Sequence, residues 1–203
     1  MRLMATAAVL ALAMAASASA ETRNLRGFNS IGASDQMRVE ISVGGDYAVE
    51  VTGADADRVR TRVEDGALLI DQRNRPWFGS RHLNAVVRVS VPELESIAAA
   101  RGVEVSARGV ESERFDIAAA MGAEVRVSGT CGVLDATAAM GASIRADELQ
   151  CRVADVSAAM GGSARVYASE TYEGSASMGG SIDISGDGAS RGRSTAMGGS
   201  IND

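Results

Sequence analysis

The stretch AAMGASIRADELQCRVADVSAAMGGSARV at 138–166 decides the fold, because the phrase that opens it returns before it ends. Related copies of the phrase run from residue 98 to residue 200, at intervals of 18 to 20 residues. A fixed period of this length is typical of a chain built from stacked copies of one small unit. The anchors of the copies are Arg101, Met121, Met140, Met160, Met178 and Met197.

Alignment on the anchor shows alternating apolar and polar columns. Apolar residues recur two and four positions before the anchor and four and six positions after it, with Asp, Glu, Ser and Arg between them. This alternation predicts half-buried strands. The anchor shares the parity of the apolar columns, so we expect the methionines to lie inside as core filler near a corner, with metal binding by their thioethers as the alternative. The glycine that follows each anchor predicts a turn with positive φ.

Two rival repeat architectures fit less well. A two-helix unit needs more than about 19 residues, and glycine doublets oppose helices. A leucine-rich repeat has a similar period, but its leucine framework is absent. We therefore expect an all-β, single-domain β-solenoid of the right-handed parallel β-helix type, with two strands and two turns in each coil. Coils of about 19–20 residues occupy 98–203, and less regular strands and hairpins occupy 21–97.

The N-terminal half carries its own strand signals. Apolar and polar residues alternate over 37–43 and again over 86–91, where Pro92 ends the run. Asp65-Gly66, between two further alternating runs, is a strong hairpin turn signal. Residues 74–82 form a predicted loop.

The first twenty residues predict a signal peptide. A short positive start at Arg2 precedes an Ala-, Leu- and Val-rich run, and the A-x-A sequence at 18–20 predicts cleavage after Ala20. The mature chain is then one domain over 21–203, periplasmic or extracellular, with no membrane span after cleavage. The formal net charge of −6 argues against nucleic acid as a partner. We expect no cofactor.

Several segments together resemble a known family. They are Gly27-Phe28 with Ile31, the alternating strand up to Gly44, VEDGALLI at 63–70 and VVRVSVPELESIAAARGVEV at 86–105. In their order and spacing they resemble the putative auto-transporter adhesin head family, also called the GIN domain, over most of the mature chain. The resemblance implies a β-solenoid of the bacterial envelope and no catalytic residues. The regular Met-Gly repeats after residue 118 depart from the family pattern.

Cys131 and Cys151 each lie nine residues before an anchor. In a solenoid they occupy one column on adjacent coils, about 4.8 Å apart at the backbone. A disulfide accepts this separation, and an oxidising compartment favours the bond. We predict a disulfide, with two stacked reduced thiols as the alternative.

Candidate binding residues fall into two groups. The first group consists of outward columns of arginine and of acidic residues, and each column is more typical of a solvated face. As the alternative, the arginines would suit a polyanion such as an acidic glycan, and the acidic residues would suit a divalent cation. The predicted loop offers aromatic and basic side chains, which are enriched at contacts, unless it covers one side of the solenoid. The candidate binding surface is Trp77, Arg81, His82, Arg126, Arg145 and Arg165.

Three functions remain open. The first is a non-enzymatic exported envelope or surface module, used in adhesion, scaffolding or contact with a glycan or an envelope component. The second is a polysaccharide-acting enzyme. Such an enzyme would need paired carboxylates, and it would also need groove walls, which the short turns do not supply. The third is a structural solenoid that self-associates end to end through its exposed strand edges.

Overall fold

The chain folds as an all-β solenoid, with about five regular coils in its C-terminal half. A computed structural model describes residues 20–73 and 82–203. Within these ranges the helical structure is one short 3-10 turn, Ala56–Arg58. The strands are β1 (Glu21–Arg23), β2 (Ser30–Ser34), β3 (Arg38–Val43), β4 (Ala48–Thr52), β5 (Val59–Glu64), β6 (Ala67–Gln72), β7 (Val86–Val91), β8 (Ser96–Ala100), β9 (Glu104–Ala120), β10 (Glu124–Ala139), β11 (Ser143–Ala159), β12 (Ser163–Ser177), β13 (Ser181–Ser185), β14 (Ala189–Ala196) and β15 (Ser200–Asn202).

The regular coils stack as parallel strands in the register that the repeat predicts. Val125 of β10 lies beside Ile144 of β11, which lies beside Ala164 of β12. All three are buried, and so are the alanines two positions before each anchor from Ala119 to Ala176. The predicted apolar columns two positions before and four positions after the anchor are therefore confirmed as part of the solenoid core. Because these positions hold mostly Ala, Val and Ile, the core of the regular coils is thin.

The methionine column does not lie in the core, and the prediction of its orientation was wrong. Met121, Met140, Met160 and Met178 are 45–49% exposed, and Met197 is 81% exposed. Each anchor and the glycine after it have positive φ, for example 53° at Met121 and 74° at Gly122. Two left-handed residues in succession form a tight turn, and this turn aims the methionine away from the axis. The alternation of inward and outward side chains along the strands therefore does not continue through this turn.

The opposite corner of the coils of β9 to β12 has no separate turn. The long strands β9 to β12 run through it with shifts in register, between Val127 and Gly129 and between Ala146 and Gln150. Such bulges bend a strand without ending it. At Gly129 a β-carbon would stand 2.1 Å from the carbonyl oxygen of Val110, so only glycine fits there. The coils of β9 to β12 thus have one turn and one bent corner, where the sequence predicts two turns, whereas residues 186–188 separate β13 from β14 at this corner.

The N-terminal half belongs to the same stack, but its coils do not follow chain order. β2 lies between β6 and β8, and β3 lies between β7 and β9, all in parallel. β4 pairs antiparallel with β7, β1 pairs antiparallel with β4, and β5 and β6 form the hairpin predicted at Asp65-Gly66. This end of the solenoid is therefore built from antiparallel strands.

Cys131 and Cys151 form a disulfide, as their column position predicts. They are register partners on β10 and β11, and their Cα atoms are 4.5 Å apart. Both side chains are buried. The bond joins two adjacent coils across the corner that bends without a turn.

The last coil ends in a polar cluster. Arg193 stands in the column that is apolar in earlier coils. Its guanidinium donates to the carbonyl oxygen of Ile201 at 2.6 Å and to the carboxylate of Asp203 at 2.9 Å. The Tyr172 hydroxyl donates to the same carboxylate. In the part of the chain described, no helix is long and apolar enough to cross a membrane.

Candidate functional site

Each regular coil presents two outward faces on either side of the Met-Gly turn. The strand before the turn carries an acidic column, and the strand after the turn carries the arginine column. We call the second surface the arginine face, defined by the outward residues of 104–108, 124–128, 143–146, 163–167, 181–185 and 200–202. It is continuous with the outward sides of β3 and β7, which extend the same sheet.

The predicted arginine column is a single row in the structure. Arg126 lies beside Arg145, and Arg145 lies beside Arg165. Beyond Arg126 the row continues through Ser106 to Glu40 and Arg88. Parallel to it, two positions away along each strand, runs a row of hydroxyl groups, and these serines are half-buried except for the exposed last one: Ser143, Ser163, Ser181 and Ser200.

Acidic side chains partly neutralise the arginine row. Glu124 accepts a hydrogen bond from Arg126 at 2.7 Å and lies 3.3 Å from Arg145. Arg165 lies 3.6 Å from Asp183. All three guanidinium groups keep roughly half of their side-chain surface in solvent. Because these ion pairs are exposed and weak, an incoming anion can compete for the arginines.

An open groove of about 570 Å³ lies beside this row, and we call it the charged groove. Its floor is the outward side of β3, β7 and β9, and Arg126 closes one side. Arg38 is paired with Glu104 at 2.9 Å, and Arg88 with Glu40 at 3.2 Å. Arg108, also exposed in the groove, has no ion pair within residues 20–73 and 82–203. Within the described part of the chain, the groove thus offers one guanidinium without an ion pair, among hydroxyl groups and paired charges.

His82 lies at the edge of the charged groove. It is exposed and lines a cavity of about 380 Å³ together with Arg38 and Glu104, which also line the groove. Trp77 and Arg81, the other candidates from the predicted loop, lie outside the described residues. His82 is therefore the one member of the predicted loop surface whose surroundings are known.

The acidic column is also a row in the structure. Asp135 lies between Asp116 and Asp155, and Asp155 lies beside Glu173. Burial and then the charges of Asp155 and Asp116 raise the pKa of Asp135 above its ordinary value. Among the residues that the structure describes, no group of three or more His, Cys, Asp or Glu side chains is arranged to hold a metal ion. The acidic row is a line of mutually repelling carboxylates on the opposite face from the arginines.

No pattern in the sequence singled out Arg38, Arg88 and Arg108 as candidates. Their outward orientation was predictable, because Arg38 and Arg88 are polar members of alternating strands. What was not predictable is that β3 and β7 extend the sheet beside β9, because that pairing joins segments far apart in the chain.

The comparisons with known proteins agree with this architecture. A sequence model described as "Putative auto-transporter adhesin, head GIN domain" matches residues 27–188. A crystal structure of a putative adhesin from Bacteroides fragilis NCTC 9343 is similar at a TM-score of 0.64 and 15% identity, and the match covers 93% of this chain and 98% of that one. A putative adhesin from Parabacteroides merdae ATCC 43184 is similar at 0.52 and 12% identity, covering 93% and 96%. At these identities the likeness shows the fold alone. No curated protein matches the chain.

Proposed function

Because the chain belongs to the family of putative auto-transporter adhesin head GIN domains, we propose that it is an exported, non-enzymatic surface module that contacts an acidic polysaccharide. The family name describes an adhesin-like role and leaves the ligand open. The location that we propose is the periplasm or the cell surface, reached through the signal peptide at 1–20. The arginine face and the charged groove are the proposed contact surface.

One observation carries the proposal. The arginines at 126, 145 and 165 repeat at one strand spacing beside a row of serines, and the exposed Arg108 lies near the end of the row. A guanidinium binds a carboxylate or sulfate through paired hydrogen bonds, and serine hydroxyls bind sugar hydroxyls. A linear polymer with regularly spaced anionic groups matches a surface with regularly spaced cations and hydroxyls.

The test measures binding of the full chain to polygalacturonate, which carries carboxylates, and to dextran, which is neutral. Isothermal titration at two salt concentrations gives both affinities. The variant Arg126→Ser with Arg145→Ser and Arg165→Ser removes the three cations. The new side chains are the same as those of the neighbouring serine row. The matched control, Asp116→Asn with Asp135→Asn and Asp155→Asn, changes three charges on the opposite face. The variant Arg108→Ser tests the groove separately.

We expect polygalacturonate to bind more tightly than dextran, and less tightly at high salt. The triple arginine variant should lose at least about tenfold in affinity, because a hydrogen bond to a charged group contributes about 1.5–3 kcal/mol. The triple aspartate variant should bind at least as well as the unchanged chain. Equal binding by the arginine variant would contradict the proposed surface, and new reducing ends in the polysaccharide would contradict the non-enzymatic role.

A further inference from the structure

The corner methionines form the exposed large apolar surface of the described chain. Five of the nine methionines in the sequence occupy this one column. Met37, outside the column, is buried in the core. We call the column the methionine ladder, and its members are Met121, Met140, Met160, Met178 and Met197.

Backbone geometry does not require methionine at these positions. Asp35 and Arg101 occupy the same corner in two neighbouring coils, with φ of 74° and 60°. The corner therefore accepts polar side chains. A left-handed conformation is unfavourable for a non-glycine residue, and a half-exposed methionine recovers little of this cost through burial. Strain that recurs without a packing benefit points to a function for the side chain.

The ladder holds its side chains at a regular and close spacing. The amide of Gly122 donates to the carbonyl oxygen of Met140, and the amide of Gly141 donates to that of Met160, both at 3.1 Å. Equivalent bonds join the later corners, so neighbouring methionines are one strand spacing apart, about 4.8 Å. Nothing lies within 4 Å of the place where a β-carbon would stand on the glycine beside each methionine. The flexible side chains therefore have open space along the corner.

This spacing suits a metal ion held between two thioethers. Two sulfurs on opposite sides of one ion are about 4.6 Å apart if each metal–sulfur bond has the length of a zinc–thiolate bond, about 2.3 Å, and this distance is close to the strand spacing. Thioethers are neutral, soft ligands that select soft ions such as Cu(I), whereas hard cations such as Ca²⁺ prefer oxygen. The structure has no free cysteine within residues 20–73 and 82–203 to compete for such an ion.

We propose that the methionine ladder binds soft monovalent metal ions, Cu(I) or Ag(I), with each ion held between the thioethers of adjacent coils. Binding is simple coordination, with no change in the oxidation state of metal or sulfur. Adjacency is the essential property. The backbones of corners two coils apart are separated by about 10 Å, which is too far for their thioethers to share one ion. This role is separate from polysaccharide contact on the arginine face.

The experiment uses two double variants that differ only in adjacency. Met140→Leu with Met178→Leu leaves three ladder thioethers, none of them on neighbouring coils. Met121→Leu with Met197→Leu also leaves three, on consecutive coils. Leucine keeps the apolar surface and removes the sulfur. The full chain and both variants are titrated with Ag(I) in chloride-free buffer without reductant, and bound ions are counted by native mass spectrometry. Circular dichroism verifies that all three proteins are folded.

The unchanged chain and the variant with consecutive methionines should bind Ag(I). The variant with separated methionines should bind at least about tenfold more weakly, a loss at least as large as that caused by changing a residue that merely supports a ligand. Competition with a chromogenic Cu(I) chelator should give the same order. Equal affinity of the two variants overturns the proposal. Absence of binding to the unchanged chain also overturns it and leaves the ladder as an apolar contact surface.

Discussion

The described residues before position 101 (20–73 and 82–100) and residues 101–203 build coils of one stack in different ways. The first region fills its core with large side chains such as Phe28, Leu68 and Ile70 and closes its end with antiparallel strands. The second region fills its core mostly with small residues, with Phe115 and Tyr172 as large exceptions, and it adds one disulfide and a stacked Met-Gly turn in each coil. The difference shows two routes to one coil. Packing of large side chains stabilises the irregular part, and repetition of backbone contacts stabilises the regular part.

The largest expected effect tests the packing of the N-terminal region. Phe28→Ala should lower the free energy of unfolding by about 3–5 kcal/mol, because it empties a buried site whose ring lies 5.1 Å from that of Tyr47. Ile144→Val in the regular coils, which removes one methyl group, should cost about 0.5–1.5 kcal/mol. Urea unfolding measures both values. If Phe28→Ala costs no more than Ile144→Val, the Phe28 ring does not have the packing role assigned to it.

The second effect tests the cross-link of the regular coils. Cys131→Ala with Cys151→Ala should lower the free energy of unfolding by about 3 kcal/mol, because a disulfide that closes a loop of this length restricts the unfolded chain. Urea unfolding with and without dithiothreitol measures it. Reductant should destabilise the unchanged chain by a similar amount and leave the variant unaffected. If dithiothreitol also lowers the free energy of unfolding of the variant, the disulfide is not the cause of the effect on the unchanged chain.

The smallest effect concerns the acidic row. The raised pKa of Asp135 means that the folded chain binds its proton more tightly than the unfolded chain does. Stability therefore falls as the pH rises from the ordinary aspartate value through the raised value. Asp135→Asn should raise the melting temperature at pH 7, and the gain should disappear near pH 3, where the carboxyl group is protonated in both states.

The control for this variant is Asp147→Asn, an exposed residue outside the acidic row. Its melting temperature should stay close to that of the unchanged chain at both pH values. A gain at pH 7 that persists at pH 3 would mean that repulsion within the row is not the cause.

Much of the regular region was predictable from particular residues. The spacing of the Met-Gly phrase predicted the coil length, the buried columns, and the position of Cys131 beside Cys151. In the N-terminal half, Asp65-Gly66 predicted the hairpin, and alternation predicted β3 and β7. These features depend on local geometry and on a constant period, both of which a single sequence displays.

The methionine orientation and the strand order of the N-terminal half were not predicted from the period and the local alternation. The methionine orientation was missed because strand parity was carried through a turn that has two positive-φ residues. A signal was present, since Arg101 shares the column and a charged side chain is rarely buried without a partner. The insertion of β2 between β6 and β8 had no such signal, because it depends on long-range pairing. The charged groove was missed for the same reason, because it depends on the pairing of β3 with β7 and β9.

The position of β2 and β3 has a consequence for how the molecule assembles. β2 pairs with β8 through Ser30 and Ser96, which are 66 residues apart in the chain. In the regular coils, paired residues are only about 20 residues apart. Contacts of high sequence separation form slowly. The strands β2 and β3 therefore form a seed in the interior of the stack, covered on one side by β6 and β7 and on the other by β8 and β9. Once that seed closes, the remaining coils can add by short-range steps in one direction.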